Sequence, residues 1–129
     1  MKQAIYTDNA PEPIGTYSQA VRSGDLVFLS GQIPLDPKTK QLVSDDFRAQ
    51  ATQVFKNIVA VIAAAGGSPE NIVNVRIYLT DLAHFPIVND IMSNYIHKPY
   101  PARAVIGVAQ LPMNALVEIE AVLSLSADT

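Results

Sequence analysis

Arg103 is the residue whose type and position most clearly offer chemistry toward a small anion. It follows Tyr100, Pro101 and Ala102 and opens a run of small and branched residues that is typical of a strand. A guanidinium group is planar, stays charged, and matches a carboxylate through two parallel hydrogen bonds. Arg103 could therefore clamp a carboxylate substrate, or it could form an ordinary ion pair with an acidic neighbour at a strand end.

Glu118 and Glu120 stand two residues apart, so they project from the same face of a predicted strand. Two carboxylates at this spacing repel each other unless a cation lies nearby or one of them stays protonated. One of the pair could act as a general acid–base group or position a water molecule. Both could equally belong to a solvated strand face, and the spacing alone does not choose.

Two further segments carry residues with chemical potential but no clear assignment. Gly31 lies between Ser30 and Gln32 at the end of a buried strand, where a glycine permits either a tight turn or the close approach of a ligand. Tyr17 is an aromatic residue with a polar tip in a segment of weak structural preference, where it could simply pack. Neither segment indicates a ligand by itself.

The sequence offers little support for metal or nucleotide binding. His84 and His97 lie thirteen residues apart with no second ligand at helical spacing, so they do not predict a metal site. The chain has no cysteine, which excludes disulfides, thiolate metal ligands and a cysteine nucleophile. Phosphate-binding loop motifs are also missing, and Gly66-Gly67 is better explained as the end of a helix.

Two helices are predicted to position parts of this site. Apolar residues at helical spacing over 47–65 predict an amphipathic helix, which the glycines at 66 and 67 would end. A second helix is predicted to begin near Pro86, a residue suited to a first helical turn, and to end before Lys98. Both helices have one apolar face, so both are expected to pack on a sheet.

Strands are predicted on either side of these helices. After an extended start, a hairpin turn at 23–25 leads into a strand at 26–30. Alternating patterns predict strands at 73–80 and 117–124, and a further strand covers 103–109. The resulting order, β-β-α-β-α-β-β, predicts an α+β fold with two helices on one sheet.

Two helices can cover only one face of such a sheet. The opposite face would carry the apolar atoms of Tyr78 and Val122 beside arginine and glutamate side chains. An extended apolar surface is unfavourable in water, so we expect another subunit to cover it. The low charged fraction, 16%, agrees with surface that is shared between subunits.

Length and composition limit the number of domains, the kinds of partner and the cellular compartment that we expect for this protein. A chain of 129 residues predicts one domain over 1–129. The formal net charge of -3 argues against a surface for nucleic acid. The first residues lack the apolar core of a secretory signal, and no apolar run is long enough to span a membrane. We therefore expect a cytoplasmic protein with no membrane contact.

Three sequence blocks resemble the motifs of one known family, in the same order and across essentially the whole chain. They are A-P at 10–11 with I-G-T-Y-S-Q-A at 14–20, L-S-G-Q-I-P at 29–34, and P-A-R-A-V at 101–105 with V-A-Q-L-P at 108–112 and V-E-I-E-A at 117–121. The family is the Rid (reactive intermediate deaminase) group, also called YjgF-type or L-PSP proteins. The chain resembles its RidA branch in particular, which keeps the arginine.

The resemblance implies a fold, an assembly and an activity. The fold would be chorismate-mutase-like α+β, a mixed sheet with two helices on one face, assembled as a homotrimer with ligand sites in the clefts between subunits. The activity would be that of a 2-iminobutanoate/2-iminopropanoate deaminase. Such an enzyme hydrolyses intermediates of the 2-aminoacrylate and 2-aminocrotonate type to 2-keto acids and ammonia. No metal or cofactor is implied, and the expected ligand is a small 2-imino or 2-keto acid.

The resemblance also implies roles for individual residues. Arg103 would bind the substrate carboxylate, and Glu120 would hold and activate the water that attacks the imine carbon. The other residues expected to contact the substrate are Tyr17, Ser30, Gly31, Asn89 and Val105. The chain departs from the family at Val105, where many members have cysteine, and at Thr16, where proline is usual. Hydrolysis by water needs no thiol, so Val105 bears on regulation and substrate preference. Thr16 in place of proline would make the loop that carries Tyr17 less rigid.

Two functions other than the deaminase are also compatible with these residues or with this family. One is a non-catalytic or regulatory trimer that binds a small carboxylate through Arg103 without turnover. The other is a ribonuclease or translation inhibitor, an activity attached to some family members. The acidic balance of this chain fits poorly with RNA binding.

Overall fold

The first predicted helix forms and supplies one wall of the core. The computed structural model describes residues 1–126, and α1 spans Phe47–Ala64 in it. Its first turn is capped by Asp46, whose carboxylate accepts a hydrogen bond from the backbone N–H of Ala49 at 2.9 Å. Gly66 follows the helix in a left-handed conformation, with φ +86°. The predicted helix and its glycine stop are thus confirmed.

The second helix forms with Pro86 in its first turn but is shorter than predicted. α2 spans Phe85–Met92, whereas the sequence pattern predicted a helix that continues almost to Lys98. The Ser93 hydroxyl donates to the Asp90 carbonyl at 2.6 Å, and the backbone N–H of Asn94 donates to the carbonyl of Ile91 at 3.0 Å instead of that of Asp90. This local competition ends the helix early.

Six strands of residues 1–126 form one mixed sheet. They are β1 Gln3–Ile5, β2 Ala20–Ser23, β3 Leu26–Gln32, β4 Ile72–Leu79, β5 Ala102–Gly107 and β6 Val117–Ser124. Their order across the sheet is β1-β2-β3-β6-β4-β5. β4 and β5 run parallel, and every other neighbouring pair is antiparallel. The predicted α+β class and the hairpin turn at 23–25 are confirmed. The sequence predicted only an extended segment before this turn, and the structure has two separate strands there, β1 and β2.

β5 ends at Gly107, two residues before the predicted end at Ala109. The N–H of Val108 donates to the carbonyl of Leu79 at 2.9 Å, and Leu79 is the last residue of β4. Among the strands of residues 1–126, β5 pairs only with β4, so beyond this point it has no partner in this part of the chain. The strand ends where its neighbour ends.

Both helices pack on one face of the sheet, as predicted. The alternating residues of the central strands point into this layer and are almost fully buried, and they meet the apolar stripe of α1. The contributing side chains include Val75, Ile77, Ile119 and Leu123 from the sheet and Val54, Ile58 and Val61 from α1.

The opposite face of the sheet is left without a helix in the described part of the chain. Phe28 on β3 is 47% exposed and Leu26 is 42% exposed, although both lie within a regular strand. Toward the other edge, Tyr78 pairs with Ile106 on β5, which is also exposed. We name this surface the open face.

The helices of residues 1–126 include none with the length and apolar character that a membrane span needs.

Candidate functional site

Arg103 lies at the edge of the sheet and is held by α2. It pairs in register with Val75, whose side chain is in the core, so Arg103 projects toward the helix face. One guanidinium nitrogen donates to the side-chain oxygen of Asn89 at 2.9 Å and lies 4.0 Å from the sulfur of Met92. The guanidinium carbon lies 5.0 Å from the ring centroid of Phe85, a cation–π contact. Three residues of α2 therefore fix its direction.

No carboxylate neutralises Arg103 within residues 1–126. The ion pairs of this part of the chain join Arg22 to Asp25, Lys40 to Glu12 and Arg48 to Asp90. Arg103 also lines a cleft of about 490 Å³, together with Asn89, Ser93, Ile96 and Tyr100, and we call it the Arg103 cleft. This arrangement favours the anion-clamp interpretation of Arg103 over the ordinary ion pair.

A second cleft, of about 580 Å³, collects three other predicted site residues. Tyr17, Ser30 and Gly31 line it together with Glu118, and we call it the Tyr17 cleft. Glu118 pairs with Tyr78, whose neighbours in the core are Ile77 and Leu79, so Glu118 points away from the helices. The Tyr17 cleft therefore opens on the face of the sheet opposite to Arg103.

Gly31 leaves the space that Glu118 occupies. A Cβ atom at this position would lie only 2.0 Å from a carboxylate oxygen of Glu118, far inside van der Waals contact. The β3–β6 register shifts between Leu29 and Gln32, which brings Gly31 against Glu118. Gly31 lies outside the left-handed region, so its backbone conformation does not itself require glycine. The glycine thus serves the close approach of a carboxylate side chain.

The two hydroxyl groups of the Tyr17 cleft have opposite polarity toward a ligand. The Tyr17 oxygen accepts a hydrogen bond from the backbone N–H of Ile14 at 3.3 Å, which leaves its own proton uncommitted. The Ser30 hydroxyl donates to the carbonyl of Ser18 at 2.6 Å, which leaves only its lone pairs. Tyr17 can therefore donate to a ligand, and Ser30 can accept from one.

Gln19 anchors the loop that carries Tyr17. Its side chain is buried, accepts from the N–H of Thr7 at 2.7 Å and donates to the carbonyl of Pro11 at 2.9 Å. The Gln19 backbone carbonyl also accepts from the N–H of Ser30 at 3.0 Å. One amide side chain thus ties the N-terminal segment to the rim of the cleft.

Glu118 and Glu120 share a strand face but have different surroundings. Glu118 is half-buried, and burial raises its pKa above the usual range, with a smaller contribution from the charge of Glu120. Glu120 accepts a hydrogen bond from the Tyr78 hydroxyl and pairs in register with Arg76. It borders a smaller hollow of about 230 Å³ with Phe28 and Arg76, outside the Tyr17 cleft.

The predicted site residues thus fall into separate places within one chain. Arg103 and Asn89 border the Arg103 cleft, whereas Tyr17, Ser30 and Gly31 border the Tyr17 cleft. Val105 is partly buried, packs against the core and lines neither cleft. Arg103 lies level with Val75 and Glu120 with Arg76, the next residue of β4, so the sheet itself stands between them.

Glu118 is a candidate functional residue that the sequence alone does not distinguish from Glu120. The spacing allows either carboxylate to act on a water molecule, and the resemblance implies this role for Glu120. Only the β3–β6 register shows that Glu118 faces Gly31 and enters the cleft. Within residues 1–126, no group of three His, Asp or Glu side chains could hold a metal ion.

The raised pKa of Glu118 predicts a pH-dependent stability difference. The folded chain binds the Glu118 proton more tightly than the unfolded chain, whose carboxyl titrates near 4.5. Ionised Glu118 therefore costs stability above its folded pKa, and this cost disappears as the pH falls through that pKa toward 4.5. Glu118→Gln should melt above the parent chain at pH 8, by about 1–3 °C because half of the side chain is solvated.

Thermal unfolding followed by circular dichroism from pH 4 to pH 8 measures this difference. The exposed Glu70→Gln serves as the matched control for loss of a negative charge. A gap between Glu118→Gln and the parent chain that stays constant across this range would contradict the assignment.

Comparison with known proteins identifies the family to which this chain belongs. The family model for endoribonuclease L-PSP matches residues 7–124. A 2-iminobutanoate/2-iminopropanoate deaminase from Dermatophagoides farinae is 44% identical over 122 residues, which cover 95% of this chain and 95% of that protein. The crystal structure of RidA from an Antarctic Psychrobacter species has a TM-score of 0.91 at 48% identity, covering 95% of this chain and 98% of that one.

Escherichia coli TdcF, whose crystal structure contains bound serine, has a TM-score of 0.89 at 35% identity, covering 96% of this chain and 99% of that one. The family match spans most of the sequence, and the α+β architecture is shared with these neighbours across nearly their whole length. The chain is therefore a member of the L-PSP family, in its Rid group and RidA branch.

Proposed function

We propose that this chain is an enamine/imine deaminase, which hydrolyses small 2-imino acids of the 2-iminopropanoate and 2-iminobutanoate type to 2-keto acids and ammonia. The observation that carries the proposal is Arg103, a guanidinium held in place by Asn89 and Phe85 with no carboxylate partner in residues 1–126. The deaminase name of the relative from Dermatophagoides farinae supports the same activity.

Arg103 would recognise the carboxylate that all these substrates share. A fixed guanidinium without an internal counter-ion loses little side-chain entropy when it binds an anion. The serine bound to the TdcF neighbour is itself a small amino acid with a carboxylate, which supports a ligand of this class. The clamp would orient the imine carbon for attack.

The active site would form between two copies of the chain. A small 2-imino acid cannot reach both clefts of one chain, because Arg103 and Glu118 project from opposite faces of one sheet. A cyclic assembly in which the Arg103 cleft of one subunit meets the Tyr17 cleft of the next would bring them together. The exposed apolar residues of the open face, such as Phe28, support such an assembly, and we propose a homotrimer.

Glu118 would be the carboxylate that activates water, in the role first expected for Glu120. Its half-buried position raises the pKa, which makes its ionised form a better proton acceptor at neutral pH. Glu120 is already engaged by Tyr78 and would act on the reaction only through its charge. The clearance at Gly31 supports this choice, since it holds the Glu118 carboxylate at the Tyr17 cleft.

The hydrolysis needs only proton transfers and one water molecule. Glu118 removes a proton from water as the water oxygen forms a bond to the carbon of the protonated imine, and the C=N electron pair moves to nitrogen, which becomes a neutral amino group. Glu118 then gives this proton to the amino nitrogen. The C–N bond breaks and ammonia leaves as the C=O bond forms, and the hydroxyl proton passes to the Glu118 carboxylate and from there to solvent. Tyr17 supplies a hydrogen-bond donor and Ser30 an acceptor to the bound intermediate. General acid–base assistance of this kind contributes about 10²–10⁴-fold.

A binding protein without turnover is the second candidate, and the serine-bound neighbour is the observation that favours it. Ligand affinity that depends on Arg103, without any rate enhancement, would identify it. A ribonuclease has less support, although the family model carries an endoribonuclease description. The net charge is -3, and Arg22, Lys40 and Arg48 are already paired with acids.

Arg103→Ala and Glu118→Gln should each lower kcat/KM for 2-iminopropanoate by about 100-fold or more, since one removes the carboxylate clamp and the other the proton acceptor. The imine is generated in situ by an amino-acid oxidase, and 2-keto acid formation is followed above spontaneous hydrolysis. Arg22→Ala, which removes an exposed arginine of the β2–β3 hairpin, is the matched control. Equal rates for all variants would refute the deaminase. Loss in Glu120→Gln with full activity in Glu118→Gln would return the role to Glu120.

Gly31→Ala should abolish most of the activity while the chain stays folded. The added methyl group displaces the Glu118 carboxylate, which is a flexible side-chain end, and leaves the β3 backbone in place. We expect a kcat/KM similar to that of Glu118→Gln, with an unchanged circular dichroism spectrum. Gly107→Ala is the comparison, because the atom nearest to an added Cβ there belongs to the exposed Leu82 side chain, at 3.2 Å. Full activity in Gly31→Ala would remove the argument for a Glu118-centred site.

A further inference from the structure

We propose that Met113 determines substrate specificity by contacting the apolar side chain of the 2-imino acid, and that it favours substrates with longer apolar side chains. The inference rests on the proposed function and assigns the substrate side chain to the Tyr17 cleft. It is carried by three features of the described residues, which are the lining of the cleft, the backbone at Met113 and the support beneath it.

The Tyr17 cleft is polar on one side and apolar on the other. Glu118 and Ser30 supply the polar groups, whereas the apolar wall is formed by Ile14, Ile33, Leu35, Pro112 and Met113. At about 580 Å³, the cleft has far more room than the handful of non-hydrogen atoms in 2-iminopropanoate. A 2-imino acid with a longer apolar side chain would use both sides at once.

The backbone at Met113 adopts a conformation that methionine rarely takes. Its φ is 57° and its ψ is 25°, and Asn114 follows with φ 57°. Glycine adopts this left-handed region freely, because in other residues the Cβ atom comes too close to the following carbonyl oxygen. Asparagine is tolerated there because its short polar side chain hydrogen-bonds locally. A methionine in this conformation strains the backbone, whereas glycine would not. This strain points to a role for the methionine side chain.

The turn beneath Met113 is firmly held. The N–H of Asn114 donates to the carbonyl of Leu111 at 3.2 Å, and Ala115 is buried at 1% exposure. The N–H of Leu116 donates to the buried side chain of Gln50 in α1 at 2.9 Å. This anchoring fixes the turn immediately before β6, the strand that carries Glu118.

The Met113 side chain itself has no evident part in the fold. It is 47% exposed and lies outside the hydrophobic core, although it lines the cleft. A thioether chain is unbranched and polarizable, so it adapts to apolar groups of different shape. A rigid turn therefore presents an adaptable apolar contact to whatever enters the cleft beside Glu118.

The test compares two imines on the full-length chain. 2-Iminopropanoate and 4-methyl-2-iminopentanoate are generated from alanine and leucine by an amino-acid oxidase. Met113→Ala and Met113→Gly should lower kcat/KM for the leucine-derived imine by about tenfold and change that for 2-iminopropanoate by less than about twofold. Met113→Leu should keep the parent preference because it restores an apolar side chain of similar size. Met113→Gly also relieves the backbone strain that Met113→Ala keeps, so equal losses in these two variants would come from the missing side chain and not from the turn.

Affinities for the products provide a readout that does not need turnover. Calorimetric titration with pyruvate and 4-methyl-2-oxopentanoate should show a loss in Met113→Ala for the larger acid only. Equal losses for both acids, or no change for either, would overturn the role of Met113. If the parent chain hydrolyses neither imine, the proposed function fails, and the two affinities still decide the role of Met113.

Discussion

The separation of two opposite charges by one β-sheet is the constraint on which the rest of this structure depends. Neighbouring residues of β4 point to opposite faces, so Arg103, level with Val75, and Glu120, level with Arg76, cannot meet inside one chain. Glu118, two residues before Glu120, shares its face. Arg103 and Glu118 therefore stay apart within one chain, each at its own cleft.

Because Arg103 and Glu118 lie on opposite faces of the sheet, their charges do not neutralise each other within one chain. Within residues 1–126, Arg103 has no carboxylate partner, and Glu118 has a pKa raised by burial and by Glu120. Neither charge is neutralised by the other in the single chain, so both keep their affinity for groups from outside. A 2-imino acid carries its carboxylate directly beside an electrophilic carbon. In the proposed assembly it would contact the Arg103 cleft of one subunit and the Tyr17 cleft of the next.

Much of the fold follows from local patterns, but the site does not. The stripe of α1, its glycine stop and the alternation of β6 are predicted from the sequence because each depends on residues close together in the chain. The choice between Glu118 and Glu120 depends on the β3–β6 register and its shift at Gly31, a contact between distant segments. The early end of α2 depends on one serine hydroxyl, and the lack of an acid beside Arg103 depends on the whole surrounding surface.

The most direct test of the account is complementation between two inactive variants. Arg103→Ala and Glu118→Gln chains, each inactive alone, are unfolded, mixed in equal amounts and refolded together. If each site takes its arginine from one subunit and its carboxylate from the next, about three quarters of the trimers contain both chains and one intact site, which restores about one quarter of the parent activity. Mixed trimers that remain inactive would contradict a site shared between subunits.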